Sequence, residues 1–168
     1  MKSIKTYMAG IITLIAAILL DQFTKYLAAV YLKDQSPFIL LDGIFELTYL
    51  ENRGAAFGMM QGRQVFFLIM TIFLLGFLFF CYRRIAGQRH YFPIELCIIF
   101  VVAGAIGNMI DRIRLGYVVD FFYFSLIDFP VFNVADIYVT VAAFLGFILL
   151  MFYYKEEDFL IFSWKRKI

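Results

Sequence analysis

The 168-residue chain has a single histidine, two cysteines, three prolines and one tryptophan, and only 17% of its residues are charged. Each shortage excludes a class of chemistry. One histidine, His90, set among basic residues, supplies neither a Ser-His triad nor a histidine metal site. Cys81 and Cys97 lie in or beside apolar runs; two such residues cannot build a disulfide framework or a thiolate metal site, and they read as packing residues. No Gly-rich phosphate-binding signature precedes a helix, and the basic residues form no patch suited to nucleic acid. The chain is therefore expected to use no metal and no cofactor, and to bind no nucleic acid.

What is abundant is apolar. Apolar residues make up 64% of the chain and aromatics 20%, and the mean hydropathy is +0.86. These values lie outside the range of a soluble globule and imply an integral membrane protein. Four segments lack charge over nearly the length a helix needs to cross hydrocarbon: Thr6 to Leu20, Gln64 to Tyr82, Leu96 to Ile110 and Ile137 to Tyr154. The expected architecture is all-α, one four-helix transmembrane domain over 1–168, with spans at about 8–28, 64–82, 93–112 and 134–154, a small extracytoplasmic β-hairpin or sheet, and a short outer loop or helix over the site. Lys2 and Lys5 before the first apolar run fit a signal-peptide template. No small-x-small cleavage site follows and Asp21-Gln22 interrupts, so the segment is expected to stay as a span.

Four spans put both termini on one side of the membrane. Lys2, Lys5, Arg83, Arg84, Arg89, Lys155, Lys165, Arg166 and Lys167 fall on the termini and middle loop, which predicts that these are cytoplasmic. Asp21, Asp34, Asp42, Glu46, Glu51, Asp111, Asp120, Asp128 and Asp136 sort to the outer side. Any chemistry is expected there. In "FILLDGIFELTYLEN", Asp42-Gly43 between two apolar runs, with Phe45, Leu47 and Tyr49 alternating with Glu46 and Thr48, predicts a small β-hairpin against the membrane surface.

The polar residues near the outer ends of the spans need a reason to be there, because an ionisable group at membrane depth is costly. Asp21 and Lys25 in "DQFTK" form an i,i+4 pair and read as a structural tie to a neighbouring helix or to the hairpin. In "ENRGAAFG", Gly54, Ala55, Ala56 and Gly58 allow a close backbone approach. Either a tight turn or a substrate-lining strand with Asn52 and Arg53 at its tip would use them. Gly104, Asn108 and Arg112 recur every four residues and share one helix face. Gly104 and Gly107 suit helix packing, whereas Asn108 and Arg112 suggest a polar seam that orients or neutralises acids.

The stretch "GYVVDFFYFSLIDFPVFNVADIYVT" has no basic residue but holds Asp120 and Asp136. Asp136 is three residues after Asn133, a candidate N-cap of the fourth span. If the outer loop folds back, the two carboxylates meet and titrate as a pair holding one proton, the device of aspartic proteases. The helix N-terminus would favour ionisation of Asp136 and leave the proton on Asp120. Two solvated loop acids are the plainer alternative.

With "DQFTK", "ENRGAAFG", "GAIGNMIDRI", "VVDFF" and "FNVAD" in this order, the chain resembles the lipoprotein signal peptidases (signal peptidase II) over nearly its whole length. The resemblance implies an aspartic endopeptidase of the bacterial inner or cytoplasmic membrane, inhibited by globomycin. It would remove the signal peptide from diacylglyceryl-modified prolipoproteins just before the lipidated cysteine. Asp120 and Asp136 would be the catalytic dyad. Asp21, Asn52, Gly104, Asn108, Arg112, Asn133 and Ala135 would support it, with Lys25, Arg53 and Gly54 beside them. Membrane lipid is an expected partner and a monomer the expected state. The rival class is a small proton-coupled transporter or a non-catalytic assembly factor. Transporters commonly place coupling acids at the midplane of repeated halves, a pattern absent from this sequence.

Overall fold

The computed structural model describes residues 4–54 and 62–162. Four of its helices are long and apolar enough to cross a membrane: α1 (Ile4–Tyr31), α2 (Gln64–Ile85), α3 (Phe92–Leu115) and α4 (Val134–Ile148), the last continuing as a wider π-helical turn over Leu149–Tyr153. In lipid a backbone must satisfy its own hydrogen bonds, and long uncharged runs do so as helices. The helix ends are marked in the sequence. Pro93 lies in the first turn of α3, where a missing N–H costs nothing, and Gly116 closes it in the left-handed conformation at φ 77°.

The central helix is α3, which packs against α1, α2 and α4. Its buried stripe runs through Cys97, Ile98, Ala103, Gly104, Gly107 and Asp111. A Cβ built on Gly104 would run into the carbonyl oxygen of Ala135 and the Val139 side chain, so α3 and α4 touch backbone to backbone there. By contrast, α2 buries only Ile85 among its residues. Phe73 on its surface is 71% exposed, a face that lipid tails cover.

On the side where α3 ends and α4 begins lies a three-stranded antiparallel sheet: β1 (Phe38–Leu41), β2 (Phe45–Asn52) and β3 (Val118–Tyr123), in that order. The Asp42-Gly43 hairpin forms with Gly43 at φ 64°, but Ile44 joins the loop, because Leu41 pairs with Phe45. The alternation read in β2 is not a two-faced burial pattern: every residue except Leu50 is half-buried. The reason is β3, a third strand that makes β2 central. Asp120 accordingly sits on a strand rather than in a loop.

The loop after β3 comes straight back. Phe132 accepts hydrogen bonds from the backbone N–H of Phe121 (3.0 Å) and Phe122 (2.8 Å), and its own N–H donates to Phe122 O at 3.0 Å. The rings of Phe45, Phe122, Phe124 and Phe132 pack together beside this turn. Asn133 and the first turn of α4 are thereby delivered to β3.

Candidate active site

Asp120 and Asp136 line one cavity of about 480 Å³, together with Asn52, Asn108, Arg112 and Thr140. Phe67, Phe129 and Phe132 supply part of its apolar wall. Sequence register and capping explain how the acids arrive. Asn52 on β2 pairs with Val118 on β3, so Asp120, two residues on, is its diagonal neighbour on the same face. Asn52 Nδ2 donates to Asp120 Oδ2 at 2.8 Å.

Asp136 is held by a capping box at the start of α4. Asn133 Oδ1 accepts from the Asp136 N–H at 3.0 Å, and Asp136 Oδ2 accepts from the Asn133 N–H at 3.1 Å. The same Asn133 side chain turns its Nδ2 to Asp120 Oδ1 at 2.6 Å. One residue therefore caps the helix that carries one acid and hydrogen-bonds the other.

Each asparagine amide is oriented by a group that leaves no choice of direction. Gly54 N–H donates to Asn52 Oδ1 at 3.0 Å, and the Asp136 N–H donates to Asn133 Oδ1. The Lys25 ammonium, which can only donate, gives a hydrogen bond to Asn108 Oδ1 at 2.8 Å. In all three cases the NH₂ end is left for a carboxylate. Asn108 uses its Nδ2 on Asp136 Oδ1 at 2.8 Å. The four carboxylate oxygens thus each accept one hydrogen bond.

Asp120 is 1% exposed. Desolvation, followed by the nearby charge of Asp136, outweighs its hydrogen bonds from Asn52 and Asn133 and pushes its pKa up to about 7. A carboxyl with that value exchanges a proton near neutral pH. The folded state binds that proton more tightly than the unfolded chain, so Asp120 burial costs stability increasingly as pH rises from about 4 through about 7.

The remaining expected positions sort by what they touch. Arg112 stacks its guanidinium over the Phe67 ring at 5.0 Å and donates to Asn108 O at 3.5 Å. Its Nε is buried with no hydrogen-bond partner among the described residues. Ala135 is fully buried and Gly104 packs against its carbonyl. Arg53 lies apart from the acids: it pairs with Glu51 at 3.3 Å and faces the Tyr117 ring. Ala55, Ala56 and Gly58 fall outside the described residues.

Asp21 and Lys25 make the expected i,i+4 pair at 3.0 Å and tie α1 to two other helices. Asp21 Oδ1 accepts from the Ala135 N–H at 2.9 Å, and Lys25 pairs with Asp111 on α3 at 2.9 Å. Asp111 and Gln22 lie within the stretches "GAIGNMIDRI" and "DQFTK" but are not among the expected site residues. Asp111 is 4% exposed; Gln22 Nε2 donates to Asp111 Oδ1 at 3.0 Å and to Gly107 O at 3.2 Å. One signal does exist: Asp111 lies four residues after Gly107, and a Cβ on Gly107 would strike Asp21 Oδ2. That glycine opens space for a polar group, not only for a packed helix.

The sequence profile of the family described as signal peptidase (SPase) II matches residues 13–153. A lipoprotein signal peptidase of Caldanaerobacter subterraneus subsp. tengcongensis is 43% identical over 143 residues, covering 84% of this chain and 95% of its own. One from Streptococcus pyogenes serotype M1 is 39% identical over 151 residues, 89% of this chain and 95% of its own. A bacterial membrane enzyme solved by the in meso method at 2.3 Å resolution matches with a TM-score of 0.77 at 31% identity, over 95% of this chain and 94% of that one.

Proposed function

The chain belongs to the signal peptidase II family, a multi-pass membrane peptidase that cleaves signal peptides from prolipoproteins, and we propose that it does so as an aspartic endopeptidase with Asp120 and Asp136 as its dyad. The observation that carries this reading is the shared cavity in which three oriented amides point their N–H groups at two carboxylates. The amides fix the orientation of both carboxylates, and burial of Asp120 beside Asp136 favours one proton held between them against the pull of those hydrogen bonds.

In the proposed reaction ionised Asp136 takes a proton from a water whose oxygen attacks the scissile carbonyl carbon. Asp120 gives its proton to the carbonyl oxygen. On collapse the C–N bond breaks, Asp136 passes its proton to the leaving nitrogen, and the product hydroxyl returns one to Asp120. The charge never exceeds one negative unit across the pair. A second charge in a dry site would be costly: burial first, and then the neighbouring charge of Asp136, raise the Asp120 pKa.

The substrate is a prolipoprotein carrying a diacylglyceryl group on its cysteine, with cleavage just before that residue. Arriving within the bilayer, it gains little from burying acyl chains already in lipid. Discrimination then falls to polar contacts, for which Arg112 and Asn52 line the cavity, while the buried Asn133 acts from behind them through Asp120. Globomycin would compete for the same space. The enzyme acts as a monomer with both termini cytoplasmic and the cavity near the outer face. The test is incubation of purified protein with modified and unmodified prolipoprotein and mass measurement of the products. Cleavage of the modified form alone, lost in Asp136→Asn, is expected; flux across sealed liposomes without cleavage would favour a transporter.

A further inference from the structure

Each acid is also restrained through the backbone of the residue before it. The N–H of Val119, preceding Asp120, donates to Asp111 Oδ2 at 3.3 Å. The N–H of Ala135, preceding Asp136, donates to Asp21 Oδ1 at 2.9 Å. Between the two receiving carboxylates sits one ammonium: Lys25 Nζ is 2.9 Å from Asp111 Oδ2 and 3.0 Å from Asp21 Oδ2. Its third hydrogen bond goes to Asn108 Oδ1 at 2.8 Å, and Asn108 holds Asp136.

We propose that Asp21, Lys25 and Asp111 form a calliper that sets the spacing of Asp120 and Asp136, with Lys25 as its pivot. This rests on the reading of those two acids as catalytic. None of the three lines the cavity, so they are positioning residues. All three are nearly or fully buried, at 0%, 3% and 4% exposure. A buried ion cluster is weak evidence for a role in stability, because well-packed apolar residues of similar volume often serve as well or better. What the charges add is location. The two backbone N–H groups they grip belong to different elements, β3 and α4, and each is adjacent to one acid. A displacement of about 1 Å in a reacting group can cost on the order of 100-fold in rate.

The test uses the full chain in detergent or lipid, with the neutral triple variant Asp21→Asn, Lys25→Met, Asp111→Asn, which keeps approximate shape and removes the pivot. Wild type must cleave and Asp136→Asn must not; if Asp136→Asn cleaves, the reading of the acids fails before the calliper is judged. The triple variant is expected to lose at least about tenfold in kcat with KM within about threefold. The alkaline limb of its pH–rate profile should move, since the limb reports the coupling between the acids. A folded triple variant with wild-type kcat and an unmoved limb would overturn the proposal. If the triple variant does not fold, Asp111→Glu decides between the outcomes. It keeps the charge but lengthens one arm, and wild-type kcat in it would equally overturn the calliper.

Discussion

Asn133 is the residue whose substitution separates folding from catalysis. Asn133→Ser retains an oxygen able to accept the Asp136 N–H, so the α4 cap survives and stability should fall by less than about 1 kcal/mol. It loses the Nδ2 group that lies 2.6 Å from Asp120 Oδ1. That hydrogen bond holds the Asp120 pKa down. A hydrogen bond to a charged group contributes about 1.5–3 kcal/mol, and one pKa unit corresponds to about 1.4 kcal/mol, so the loss should raise the Asp120 value by about one to two units.

The sign follows from the role of the proton. If Asp120 acts while protonated, the enzyme is active below this pKa and fades above it. The wild-type alkaline limb should therefore fall near pH 7, where the Asp120 pKa lies, and the Asn133→Ser limb should lie about one to two units higher, with a lower plateau because the acid is less well oriented. Asn133→Ala loses both functions and should also unfold earlier. The assay is cleavage of a diacylglyceryl-modified prolipoprotein from about pH 5 to 9, a range that brackets the expected limb, with thermal unfolding on the same preparations. A limb in Asn133→Ser that stays in place or moves down would refute the assignment of the proton to Asp120.

Asp120→Asn and Asp136→Asn should each abolish cleavage, and the double variant should be no worse than either, as for residues acting as one unit; the exposed turn variant Asp42→Asn should stay near wild type in the same assay. Asp120→Asn should also raise the unfolding temperature by a few degrees at about pH 8 and leave it unchanged at about pH 4, because it removes a buried group that must ionise only at the higher pH. Arg112→Lys should lose most activity through loss of the flat guanidinium over Phe67, measured as kcat/KM; near-normal turnover would mean that charge alone matters. A cysteine placed between Asp34 and Gly43 should react with an impermeant thiol reagent added outside, and one near Arg89 should not.

The spans are legible because the bilayer imposes one rule: long runs without charge become helices. Gly116 and Pro93 then mark helix boundaries by conformational necessity. The third strand is not legible. "VVDFFY" is apolar almost throughout and adjoins an apolar helix, so neither length nor alternation distinguishes it from the loop around it. Its pairing depends on β2, about seventy positions earlier, and a local pattern carries no trace of so distant a partner. The diagonal relation of Asn52 to Asp120 is hidden for the same reason.

Asn133 is readable as a cap because capping is local, three residues from donor to acceptor. Its second bond, to Asp120, is not, since the loop return through Phe132 makes it. Asp111 shows the limit most clearly. In sequence it is one more outer acid near a span end, where exposure to water costs nothing. What removes it from water is the simultaneous arrival of Lys25 from α1 and Val119 from β3. Burial of a charge is a property of the partners that surround it, and for Asp111 two of those, Gln22 and Lys25, come from the first helix, out of reach of any local pattern.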